Sequence, residues 1–186
     1  MKRIIALTGM PGSGKSTAAD ILRREGLQFV SMGDAVRKEM AGKGIPIDNV
    51  SLRNYALEIR KKFGDDYVLD LVKKDIAEKM KSTDVIILDG LRNILEAEEL
   101  KKEGYEVLLL GIIADKMLRY ERILKRNRES DPHSFRDFEW REQQELKFGV
   151  SQVIALSDIY IFNNSTMDYF KEGLTDIFKK LNLLKV

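Results

Sequence analysis

Cysteine is absent from this chain of 186 residues. Neither a disulfide framework nor a cysteine zinc site can therefore be built. There is one histidine, His133, which argues against a histidine-rich metal site and a histidine-based catalytic triad. An excess of one charge sign is also missing. The formal net charge is +2, too small to point by itself to nucleic acid or a membrane surface. No apolar run approaches the ~20 residues needed to span a bilayer. The chain enters an apolar run at Ile4, leaving no room for a signal peptide, so a soluble, cytoplasmic protein is expected. What is present is a full complement of core formers, 44% hydrophobic residues, in periodic segments that reach the end of the chain and exclude disorder. The length suits one domain, here residues 1–186. Charged residues make up 33%, a weak lean towards a heat-adapted source with surface ion-pair networks.

The stretch that organises the rest is Gly9-Met10-Pro11-Gly12-Ser13-Gly14-Lys15-Ser16. It fits G-x-x-x-x-G-K-[ST], the phosphate-binding P-loop. The apolar run Ile4-Ile5-Ala6-Leu7 before it reads as a buried parallel strand, and Thr17 onwards reads as helix. Glycines let the backbone curl and turn its N–H groups inward, towards the positive end of the helix that follows. In such a loop Lys15 reaches the β- and γ-phosphates and Ser16 offers a hydroxyl to Mg²⁺, with Thr17 as a backup.

Further runs at 27–30, 85–88, 107–114 and 159–162 read as strands alternating with helical patterns. That alternation predicts a parallel sheet covered by helices on both faces. The stretch between the second and third strands is long and helical, with Ser51 expected to cap a helix reaching Phe63. It reads as an insertion, about 32–82, that can move against the core. A long helix is expected over 135–156, bent at Gly149.

Two constellations add chemistry. Asp89 ends the third strand, where a P-loop protein holds Mg²⁺ directly or through water. Arg119, Arg122 and Arg126 fall within an arc of about 60° on one helix. Residues 116–128 carry six basic side chains and one acid, Glu121. Arginines stacked on one face repel one another unless anions meet them, and triphosphate is a natural partner. Arg136 and Arg141 lie beyond a polar break at 128–133 and could close over the same phosphates, making a lid of about 127–140. His133 reads as a loop residue and Trp140 as half-buried packing. Asn163-Asn164 reads either as a turn or as a place where a base is met.

On these residues the sequence resembles adenylate kinase and its nucleoside-monophosphate kinase relatives. Val30-Ser31-Met32-Gly33-Asp34-Ala35-Val36-Arg37 is similar to the S-T-G-D-x-x-R segment, whose arginine grips the acceptor phosphate. Leu88-Asp89-Gly90-Leu91-Arg92-Asn93-Ile94-Leu95-Glu96-Ala97 is similar to D-G-F-P-R-T-x-x-Q-A, and Arg122-Ile123-Leu124-Lys125-Arg126 to the segment entering the lid. Over the full chain the V-S-M-G-D and D-G-[LIV]-R patterns, and the R-D-x-x-x-R-E pattern at Arg136–Glu142, resemble an archaeal family of adenylate-kinase-like P-loop proteins. Residues 158–164 are similar to dephospho-CoA kinase. The chain departs from the adenylate kinase pattern at Met32, in a shortened D-G-x-R segment without its proline, in a short lid, and at Glu96. Glutamine stands there in adenylate kinases and reads adenine. An ionised glutamate only accepts hydrogen bonds and suits a base offering two N–H groups.

The resemblance implies a three-layer α/β/α P-loop fold of the nucleoside-monophosphate kinase kind, with a five-stranded parallel sheet. It implies an enzyme that moves the γ-phosphoryl of ATP to a nucleoside monophosphate, with ATP and Mg²⁺ as cofactors; the small net charge and the lack of an RNA-binding motif argue against a nucleic-acid partner, and the lack of a long apolar run against a membrane. Residues 9–17 would hold the donor, and Ser16 and Asp89 the metal. Gly33, Asp34, Arg37, Arg92 and Glu96 would bind the acceptor. Lys15, Arg122, Arg126, Arg136 and Arg141 would be catalytic, neutralising charge on the transferring group. An ATPase switch acting with RNA or a protein, and a dephospho-CoA kinase with Asp34 as base, are the alternatives.

Overall fold

The computed structural model describes residues 2–126 and 131–184. Five apolar segments form its sheet: β1 (Arg3–Thr8), β2 (Gln28–Ser31), β3 (Val85–Asp89), β4 (Glu106–Ile113) and β5 (Ile159–Phe162). They lie in the order β2-β3-β1-β4-β5, and every pairing is parallel. The expectation of five parallel strands holds, with β2 and β4 shifted by a residue.

Covering both faces explains why β1 is apolar throughout rather than alternating. Ile4 and Ala6 face one core with Val30, Ile86, Leu88 and Leu109. Ile5 and Leu7 face the other with Leu22, Ile87, Leu110, Phe170 and Phe178. The second core is roofed by α1 (Lys15–Arg24) and α9 (Met167–Lys180). The first is larger because the insertion adds to it. Its helices are α2 (Met32–Gly42), α3 (Asn49–Phe63) and α4 (Tyr67–Lys79), which contribute Met40, Ile59, Leu69 and Ile76. α5 (Ile94–Lys102) follows β3, and α6 (Lys116–Arg126) follows β4.

Local chemistry sets most helix ends. Ser31, Asp48, Asn93, Ser134 and Thr166 each accept a backbone N–H in the first turn of the helix they precede, worth about 1 kcal/mol apiece. Ser51 is not the cap of α3. Asp48 takes that place, accepting from Val50 N and Ser51 N at 2.8 and 2.9 Å, and Ser51 lies in the first turn, donating its hydroxyl to Asp48. The long helix divides into α7 (Phe135–Lys147) and α8 (Val150–Ala155). Gly149 separates them at φ 96°, a left-handed conformation that a side chain would strain. Lys73 on α4 meets Asp70 of its own helix and Glu99 and Glu103 beyond it, which ties the insertion to α5.

Candidate phosphate-binding site

β1 and β3 are neighbours, with Leu7 opposite Asp89. The P-loop and Asp89, far apart in sequence, therefore leave the sheet side by side at its carboxyl edge, the place where open α/β sheets bind ligands. Between β1 and α1 the loop turns at Gly12 and Gly14, with φ of 80° and 111°. A Cβ on Gly12 would come within 2.5 Å of the Arg119 carbonyl, and one on Gly14 within 2.3 Å of Asn163 Nδ2. Both positions therefore exclude a side chain twice over, by conformation and by space.

α1 begins without a side-chain cap and without an acid in its first turn. Its N–H groups are left to an external acceptor, in the manner of helix ends that hold phosphate. Lys15 Nζ donates to the carbonyls of Gly9 and of Met10, the latter at 3.2 Å. Burial pulls its pKa down to about 8, although Glu145 and Asp89 act the other way. Ser13 is buried, and its hydroxyl makes no hydrogen bond.

Pro11, Gly12, Gly14, Lys15, Ser16 and Thr17 line a cavity of about 780 Å³. Gly9, Met10 and Ser13 form the body of the loop behind it. Gly33, Asp34, Arg37, Asp89, Arg92, Arg122, Arg126 and Arg141 open onto the same cavity. The structure thus gathers most of the residues that the sequence singles out. Burial raises the Asp89 carboxyl above its ordinary range, against the pull of Lys15 and Arg92. Ser16 and Asp89 supply oxygen donors suited to a hard cation. Among the described residues no group of three or more His, Cys, Asp or Glu gathers. A cation at Ser16 and Asp89 would complete its shell with water and phosphate oxygens, as Mg²⁺ does.

The arginines differ in how they are held. Arg122 donates to Asn163 Oδ1 at 3.1 Å, and its other terminal nitrogen is buried without a hydrogen bond. Arg126 makes a forked pair with Asp131, 2.8 Å from Nε. Arg141 reaches the same carboxylate at 3.1 Å, while its Nε makes no hydrogen bond. Arg92 donates to Glu145 at 2.8 Å. Burial would push the Glu145 carboxyl up, but Arg92, Lys15 and Arg141 together outweigh it and hold it below its ordinary value. Arg37 pairs with Asp34 at 2.5 Å, both largely exposed.

Two expectations are corrected. Arg119, grouped with Arg122 and Arg126 by helical phase, is buried, with partners on two of its nitrogens. Its Nε donates to Ala114 O at 2.9 Å and its Nη1 to Pro11 O at 3.2 Å and to Glu142. Through these bonds it pins the P-loop from behind. Glu96 is wholly buried, away from the cavity wall. It accepts from the backbone N–H groups of Arg92 and Asn93 at 2.9 and 3.1 Å, and from Arg60 at 3.1 Å. It completes the capping box of α5, so no base edge reaches it. Arg136 is exposed on α7 and is not part of the cavity wall. Of the lid expected over 127–140, residues 127–130 lie outside the described residues.

Sequence reasoning missed Glu145, Asp131, Arg53 and the role of Asn163. The spacing Arg141-x-x-x-Glu145 puts both on one face of a helix, a signal that was available. Asp131 looked like part of a polar break. Asn163 is buried and donates Nδ2 to the Ser13 carbonyl at 2.8 Å. His133 is an exposed loop residue, as expected. Trp140 is 43% exposed.

A glycine-rich loop between a central parallel strand and an uncapped helix, with a lysine at its end and basic side chains across a cavity, defines a P-loop nucleotide-binding protein. A family profile described as an AAA domain (AAA_18) matches residues 5–145. The chain belongs to the UPF0200 family. It is 37% identical over 180 residues to a UPF0200 protein of Pyrococcus abyssi, covering 96% of each chain. It is 38% identical over 178 residues to one of Staphylothermus marinus, covering 96% of this chain and 92% of the other. The crystal structure of TT1252 from Thermus thermophilus shares the fold at a TM-score of 0.64 and 20% identity, over 97% of this chain and 98% of that one. No helix among the described residues is long and apolar enough to cross a membrane.

Proposed function

We propose that the protein is an ATP-dependent phosphotransferase that moves the γ-phosphoryl group to a phosphate-bearing small acceptor, a nucleoside monophosphate. One observation carries this reading. The P-loop and the arginines of three later segments, Arg92, Arg122 and the Arg126–Arg141 pair, face a single cavity, which is the charge distribution phosphoryl transfer requires.

The loop N–H groups and Lys15 hold the donor's phosphates, and Lys15 leaves its own loop carbonyls to do so. Ser16 and Asp89 would hold Mg²⁺, which would supply positive charge at the phosphate oxygens. The insertion and Arg37 and Arg92 form the acceptor side, where Val36, Leu52, Ala56 and Phe148 give the cavity an apolar wall for the rest of the acceptor. An oxygen of the acceptor phosphate forms the new bond to the γ-phosphorus as the bond to the bridging β–γ oxygen breaks. The charge that collects on the leaving oxygen is met by Lys15 and by Arg122, Arg126 and Arg141. No side chain has to remove a proton, because the acceptor oxygen is already anionic. Glu145, held ionised by three cations, fits a role in holding Arg92 better than one as a base.

The test is a panel of ATP and GTP against all common monophosphates and dephospho-CoA, with hydrolysis measured in parallel. A diphosphate product with slow acceptor-free hydrolysis is expected. Brisk hydrolysis indifferent to every small acceptor would sink the proposal.

A further inference from the structure

Two peptide planes of the P-loop are held from outside the loop. Arg119 Nη1 donates to the carbonyl of Pro11 at 3.2 Å, and Asn163 Nδ2 to that of Ser13 at 2.8 Å. Both side chains belong to buried residues, one at the start of α6 and one just after β5. Each is itself held. Arg119 also donates to Ala114 O and to Glu142 of α7, and Asn163 receives Arg122 on Oδ1 at 3.1 Å. The second bond fixes which way the amide faces. Turned over, Nδ2 would meet a guanidinium and Oδ1 a carbonyl, donor against donor and acceptor against acceptor.

In a trans peptide the C=O and the N–H of the next residue share a plane and point in opposite directions. All described peptide bonds are trans. Holding the Pro11 carbonyl on the Arg119 side therefore turns Gly12 N–H to the other side, and holding the Ser13 carbonyl does the same for Gly14 N–H. Between them, Ser13 N–H is used within the loop, donating to Met10 O at 3.1 Å. Gly12 and Gly14 N–H have no acceptor among the described residues, and both glycines line the cavity. A peptide next to glycine turns over readily, because glycine accepts either orientation. A turned peptide would show phosphate a carbonyl oxygen in place of a donor. The freedom that lets the loop curl therefore has to be restrained.

We infer that Arg119 and Asn163 are positioning residues of the phosphate site: each holds one P-loop carbonyl on the far side of the loop and so aims the N–H of the same peptide, Gly12 or Gly14, at the donor's phosphates. Through Glu142 the first of these holds reaches α7, the helix that brings Arg141 to the cavity. The inference rests on the loop holding phosphate and not on which acceptor takes the phosphoryl group, so the acceptor panel and the test below fail separately.

The full chain, isotope-labelled on its glycine nitrogens, is titrated with inorganic tripolyphosphate and with ATP, following amide signals and heat. In the unaltered chain the Gly12 and Gly14 amide protons should move downfield as charge-assisted hydrogen bonds form. Asn163→Leu should weaken both ligands by about ten- to a hundredfold. It should abolish the Gly14 shift and keep that of Gly12. Arg119→Met combined with Glu142→Leu replaces a buried ion pair with apolar side chains and leaves no unpaired charge behind. It should cost a similar factor, abolish the Gly12 shift and keep that of Gly14. Each variant serves as the test if the other does not fold. Residues that only braced the fold would lose both shifts together or neither. Either pattern in a folded variant would overturn the inference, as would undiminished affinity for tripolyphosphate. An unaltered chain that takes up no tripolyphosphate would overturn it together with the phosphate site itself.

Discussion

The two sides of the cavity collect the same kind of group and hold it by opposite means. On the donor side the protein presents its own backbone. The P-loop is shaped by glycine conformation, and its lysine rests on loop carbonyls. No carboxylate forms an ion pair with Lys15 among the described residues. Across the cavity, Arg126 of α6 and Arg141 of α7 are held by a carboxylate, that of Asp131, and Arg92, between β3 and α5, is held by Glu145 of α7. The difference is one of reorganisation. Backbone donors lose little when phosphate arrives, because they are fixed beforehand. Arginines that already have carboxylate partners must share or exchange them. That suits groups that act late, on the transferring phosphoryl, and ill suits groups that must capture the nucleotide first.

The largest effect that would break this contrast is at Lys15. Lys15→Ala should lower turnover by about a thousandfold, the loss expected when a central charge-stabilising donor is removed. The melting temperature should hardly move, because no ion pair is lost. A variant that melts much earlier would mean that Lys15 supports the fold and that the donor side is not simply a backbone cradle. Next in size is Asp131→Ala, where the expectation is reversed. Removing a buried carboxylate that serves two arginines should destabilise the protein by about 3 kcal/mol in urea unfolding. ATP affinity should change much less. Equal or greater loss of ATP binding would show that the arginine side takes part in capture.

The smallest effect is a pH dependence. Lys15 has its pKa lowered to about 8 in the free protein. Phosphate prefers the charged ammonium, so binding must hold the proton, and affinity must fall as pH rises through that value. Between pH 7 and pH 9 the ATP association constant should drop about tenfold, one proton being linked to binding. A flat profile would mean that the P-loop amides carry the affinity without Lys15.

Much of the fold was legible because its signals are local. Apolar runs bounded by turn residues give the five strands, and the glycine spacing with a strand before it gives the loop. Asp89 could be assigned to the site because P-loop proteins carry a carboxylate at the end of a neighbouring strand. The α6 arginines show where local reasoning ends. Arg119, Arg122 and Arg126 share one arc of the helix, and phase cannot separate them. What separates them is that Arg119, early in α6, meets Pro11 and Glu142, partners 108 and 23 residues away. Glu96 teaches a different lesson. Asn93-Ile94-Leu95-Glu96 is a capping-box pattern, and the structure uses Glu96 for that cap and not at a base. Glu145 shares a helix face with Arg141, but its partner Arg92 lies 53 residues away, and Asp131 is an ordinary loop residue until the chain folds.

One amide carries a consequence for how this sequence can change. Asn163 donates one Nδ2 hydrogen to the Ser13 carbonyl, receives Arg122 on its Oδ1, and leaves no room for a Cβ at residue 14. Aspartate there would keep the arginine and set two oxygens against each other at the loop. Leucine would forfeit both bonds. A smaller residue would open space beside Gly14 that the loop's left-handed turn still forbids a side chain to fill. Positions 14 and 163 are therefore locked as a pair, and drift at the end of β5 is checked by the geometry of a loop 150 residues away.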